Sequence, residues 1–114
     1  MAHTDLNYLK TITDGNKAIV REMIELFILQ VPDFVKNLNE LYQSGQYLAL
    51  GKEAHKAKSS LQIIGMNDLV KEMREFQLKT IEGVDVESYP LHIRNFEIQC
   101  EAAITELQAE LASL

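Results

Sequence analysis

The chain has no tryptophan, one cysteine, two prolines and five glycines among its 114 residues. A lone cysteine excludes an intramolecular disulfide framework and agrees with a reducing compartment. So little Gly and Pro, beside many Leu, Glu, Lys, Ala and Gln, leaves few places for a helix to be interrupted and predicts an all-α protein. An excess of positive charge is also missing. Eleven Lys and Arg stand against seventeen Asp and Glu, for a formal net charge of -6, which argues against the dense basic face that nucleic-acid binding requires. No apolar run approaches the length of a membrane span, and no basic segment followed by an apolar stretch opens the chain. The expectation is a cytoplasmic protein that engages neither nucleic acid nor membrane. No segment is polar or repetitive enough to be disordered, and the length suits one core, hence a single domain over 1–114.

Present instead are apolar stripes at helical spacing. Thr4 or Asp5 can cap a short docking helix with Leu6, Leu9 and Ile12 on its inner face, which Asp14 and Gly15 end. From Asn16 a long segment carries Val20, Ile24, Phe27, Val31, Phe34, Leu38 and Leu41 with four-three spacing. Pro32 lies within it, and a kink or brief break is expected near residues 30 to 32. Ser44-Gly45 stops this element and turns the chain back into Gln46 to Gly65. Asn67 is a plausible cap for a helix from Asp68 to about Ile81, with Leu69, Met73 and Phe76 inward. Residues 82–88 read as the longest loop. Pro90 suits the first turn of a final helix whose stripe is Ile93, Phe96, Cys100, Ala103, Leu107 and Leu111. Cys100 is then a buried, inert thiol. Four long amphipathic elements with short connections describe an antiparallel four-helix bundle preceded by a short N-terminal helix.

The stretch QYLALGKEAHKAKSSLQIIG, residues 46–65, is the informative one. Leu50, Ala54, Ala57, Leu61 and Ile64 form its core seam at about 100° per residue. His55 projects almost diametrically opposite, among Gly51, Lys52, Lys58, Ser59 and Gln62 on the outward face. Lysines at 52, 56 and 58 surround it, with Glu53 the local counter-charge. An exposed imidazole in a cationic island suits an incoming anion such as a phosphoryl group. The plain alternative is a solvated surface histidine, and the solvated-face account applies equally to Lys52 and Lys56.

Ala54-His55-Lys56-Ala57-Lys58-Ser59-Ser60, followed by Gly65 and Leu69, resembles the motif of histidine-containing phosphotransfer (HPt) domains. The usual pattern is His-x-x-Lys-Gly, then small residues, with a further Gly ten positions after the His. His55, Lys58, Ser60 and Gly65 match, while Ser59 stands where the family most often has Gly. The resemblance implies that His55, exposed mid-helix, accepts and donates a phosphoryl group, and that Lys58 stabilises its charge. Lys52, Lys56, Ser59 and Gln62 become candidate docking or accessory residues. The implied partners are response-regulator receiver domains and a hybrid sensor histidine kinase, with Mg²⁺ supplied by the receiver and no cofactor or metal held by this chain. A carrier of this kind needs no dimer, so a monomer is expected.

Several other chemistries find no support. His3 and His92 show no metal-ligand spacing with His55, and neither a Gly-rich phosphate loop nor an ATP-binding region is visible, so self-phosphorylation is not expected. A dimerising kinase phosphoacceptor domain normally has an acid directly after its histidine, where Lys56 stands here. The remaining rival is a non-catalytic helical adaptor that binds a signalling partner through the same face.

Overall fold

The computed structural model describes residues 3–114 as five α-helices, and among these residues there is no strand. They are α1 (Asn7–Ile12), α2 (Lys17–Gln43), α3 (Tyr47–Ile64), α4 (Asn67–Glu82) and α5 (Tyr89–Ser113). α2 packs on α3 and α5, and α4 packs on α3 and α5, so the four long helices close into a ring with α1 laid against α3. Asn37 pairs with Glu53 and Gln30 with Ser60, so numbering falls along α2 as it rises along α3, which makes the two antiparallel.

α2 starts where the sequence places it. The Asn16 carboxamide oxygen accepts from the amides of Ala18 and Ile19 at 3.0 and 3.2 Å, satisfying two donors that the first turn leaves free. Of the kink or brief break expected near residues 30 to 32, the break does not occur, because α2 runs unbroken through Pro32. Proline inside a helix costs about 3 kcal/mol. Val31 and Phe34, on either side of it, are both buried, and each such side chain contributes about 1.5–3 kcal/mol, which offsets that cost.

Two expected caps differ. Asp5 does bind the first turn of α1, accepting from the Asn7 amide at 3.0 Å, but Leu6 occupies the cap position. Asn67 is already helical, and the cap is Met66, whose burial in the core fixes the start of α4 one residue early. Ile12, expected inward, is exposed. Thr13 takes the inward place, its hydroxyl donating to the Leu9 carbonyl at 2.7 Å. The long loop expected over 82–88 is largely ordered structure. Glu82 belongs to α4, Gly83 turns left-handed at its end, and Val86–Ser88 form a single 3-10 turn. The fully buried Tyr89 ties this link down, its hydroxyl shared between the carbonyls of Lys79 at 2.8 Å and Val84 at 2.9 Å.

α3 lies deepest at its seam: Leu50, Ala54, Ala57, Leu61 and Ile64 are all fully buried. Gly51, read as outward, is buried too. A Cβ there would collide with the Thr80 hydroxyl, so the missing side chain is what lets α4 approach. Gly65 ends α3 at φ +78°, and the Asp5 amide donates to the Ile64 carbonyl at 3.1 Å beside it. A Cβ at 65 would run into the Asp5 backbone, so this glycine both reverses the helix and admits an N-terminal strap across its end.

Candidate functional site

Mid-α3, His55 is exposed while Ala54 and Ala57 are fully buried, so the helix register turns its imidazole to solvent. Lys52, Lys56, Ser59 and Gln62 are exposed with it, and Lys58 is half-buried. None of Lys52, Lys56 and Lys58 has an ion-pair partner among the described residues. Glu53 is turned aside, its carboxylate accepting from the Asn37 amide group at 3.1 Å. The positive charge on this face is therefore left for a ligand.

Ser59, one turn past His55, donates its hydroxyl to the His55 carbonyl at 3.2 Å. Its oxygen serves the helix backbone, and the added bulk over glycine is a Cβ and Oγ at the edge of the histidine's surface. Ser60 points the other way and donates to the Gln30 side chain at 3.1 Å. Beyond Ser59 opens a hollow of about 440 Å³, lined by Ser59, Gln62, Ile63 and Asn67 on one side and by Asp5 and Tyr8 on the other. The sequence reading missed Asp5 and Tyr8 as site neighbours. The available signal was that Tyr8 falls off the Leu6–Leu9 face of α1, and in the structure it is 56 % exposed.

The other two histidines and the cysteine are engaged elsewhere. His92 stacks on Phe76 with ring centroids 5.1 Å apart. Its Nδ1 lies 3.1 Å from a Glu72 carboxylate oxygen and its Nε2 3.1 Å from the Lys79 ammonium. An ammonium only donates, so Nε2 accepts and Nδ1 carries the proton, which joins α4 to α5 and leaves no free lone pair. His3 pairs with Glu106 on α5. Burial pushes the Cys100 thiol up to about 12, as befits an inert core residue. Among the described residues no three His, Cys, Asp or Glu side chains converge on a possible metal position.

Chemically, the α3 face offers an accessible imidazole nucleophile with uncompensated cations one turn away. The Hpt domain family matches residues 22–113, a range that contains α3, α4 and α5 whole and α2 from its sixth residue onward. The chain belongs to the Hpt domain family. Hpt domains act in His-Asp phosphorelay signalling, through receiver domains and kinases, and the all-α bundle is the architecture the resemblance implied. No curated protein and no solved structure matches the chain. Among the described residues no helix is long and apolar enough to cross a membrane. α1 and the strap lie before the matched range of the Hpt family.

Proposed function

We propose that this Hpt domain is a phosphoryl carrier, with His55 relaying the group between receiver-domain aspartates in a multistep pathway inside the cell. The observation that carries the reading is the outward register of His55, opposite a fully buried seam and beside unpaired lysines. The neutral imidazole attacks through Nε2, its Nδ1 carrying the proton. A P–N bond forms as the P–O bond to the aspartyl carboxylate breaks, and the carboxylate stays with the receiver as leaving group. The reverse attack, by a second receiver's aspartate, discharges the histidine.

Lys58, one turn from His55, places its ammonium where a phosphoryl oxygen arrives and stabilises charge there without bonding the phosphorus. Lys52 and Lys56 add to the attraction for an anionic donor, while Ser59 and Gln62 lie at the docking edge. Mg²⁺ belongs to the receiver, as does the activated phosphoryl group, and a hybrid sensor histidine kinase stands at the head of the pathway. One accessible histidine suffices for the cycle, so the domain works as a single unit and as a monomer.

Radiolabel transfer with purified components tests this. A phosphorylated receiver with Mg²⁺ should label wild type in an acid-labile form and leave His55→Gln unlabelled, although that variant folds normally. ATP and Mg²⁺ alone should label neither. Labelling from ATP alone would sink the carrier reading, and refusal of every receiver from the source organism would favour an adaptor.

A further inference from the structure

Transfer to His55 requires a partner whose phosphorylated carboxylate reaches the imidazole, so the partner's surface must settle around α3. A standard interface covers about 800 Å² on each side, a patch on the order of 16 Å in radius. Along the helix axis Ser59 lies about 6 Å and Gln62 about 10 Å from His55. A partner centred on His55 therefore covers both, and so meets the wall of the hollow that they share with Asp5 and Tyr8.

The far wall of this hollow is tied to the bundle at several points. The Asp5 amide is bonded to the end of α3, Leu9 is fully buried, His3 pairs with Glu106 and Lys10 with Glu110. Gly65 admits the strap against the helix that carries His55. A tyrosine presented on such an anchored segment is a large, rigid, amphipathic contact that loses little freedom on binding, and tyrosine is enriched among residues that dominate interfaces. The lysines, by contrast, lie toward His55 and attract any anionic donor alike.

We propose that Tyr8 is a specificity-determining residue for receiver docking, forming with Ser59 and Gln62 a recognition hollow that selects the partner before transfer at His55. The wall that Tyr8 supplies lies before the range matched by the family, residues 22–113. This inference rests on the carrier reading, and phosphoramidate, a small donor with no protein surface, separates the two.

The experiment measures transfer from a phosphorylated receiver at varied receiver concentration, alongside labelling by phosphoramidate. Tyr8→Ala should raise KM for the receiver by between about fivefold and thirtyfold, the range of a strong interface contact, with kcat little changed. Its labelling by phosphoramidate should match wild type, and Tyr8→Phe should restore most of the lost affinity. Leu91→Ala, a truncation of another exposed apolar residue outside the hollow, should leave KM as it was. An unchanged KM in Tyr8→Ala, with wild type accepting label normally, overturns the role of Tyr8 alone. Wild type that takes label from phosphoramidate but from no receiver overturns the carrier reading and the docking hollow together.

Discussion

At the scale of single residues, Lys58 differs from Lys52 and Lys56 in being half-buried, so it loses less freedom when it engages an oxygen. Lys58→Ala should slow receiver-to-His55 transfer by about tenfold while leaving the site able to accept label, because the lost interaction is one charge-assisted contact and not the nucleophile. An unchanged rate would place Lys58 with the solvated lysines. Cys100 should resist alkylation in the folded protein at pH 8 and react fully in denaturant, since burial has pushed its thiol up to about 12. The orientation of His55 was legible because it depends only on helix period and on five apolar neighbours. Gly51 was not, because a residue with no side chain carries no hydropathy and its burial is decided by how close α4 comes. Tyr8 escaped for a related reason: its nearness to Ser59 and Gln62 is a contact between segments about fifty residues apart.

Between elements, the α3–α4 contact and the strap each hinge on a glycine. In an exposed helix interior Ala is better than Gly by about 1 kcal/mol, yet Gly51→Ala should destabilise this protein by about 1–3 kcal/mol, because its methyl meets the Thr80 hydroxyl. Thr80→Ala in the same chain should recover part of that loss, as the oxygen is the nearest atom met and the remaining Cβ stands at ordinary distance. Denaturant melts of the two single variants and the double variant would measure the coupling, and strict additivity would refute the contact. Helix existence and the apolar seams of the four long helices were readable from period alone, while on α1 the inward place went to Thr13 and not to Ile12. Boundaries were not, since Met66 and Pro32 obey the core around them more than local propensity, and Tyr89 orders a link that composition alone describes as loop.

For the whole molecule, acid should loosen its two ends before its core. Burial, the largest single influence on Glu106, opposes its ionisation, but hydrogen bonds from the His3 backbone and side chain, the His3 charge and the Thr4 amide together outweigh it and hold the carboxyl below its ordinary 4.5. Hydrogen bonds from Lys79 and Ser88 hold Asp85 below 3.8 in the same way. Each group's stabilisation is fully present above those ordinary values and is lost as pH falls through its lower folded value. Amide exchange corrected for intrinsic rates should therefore accelerate in residues 3–13 and 83–88 as pH falls from about 5 towards about 2, ahead of the α2–α5 core. Equal acceleration everywhere would mean that these pairs do not hold the ends.

Tyr42, Tyr47 and Tyr89 cluster at the end that holds the 83–88 link, with ring centroids 5.4 to 6.4 Å apart, and leave Tyr8 by itself at the hollow. In a chain without tryptophan, intrinsic fluorescence then comes from two separate places, a trio in which Tyr89 is buried and Tyr42 and Tyr47 are half-buried, and one exposed ring. Tyr8→Trp would give the protein a single emitter excitable at 295 nm with no background from the rest of the chain, positioned where a docking receiver would change its colour.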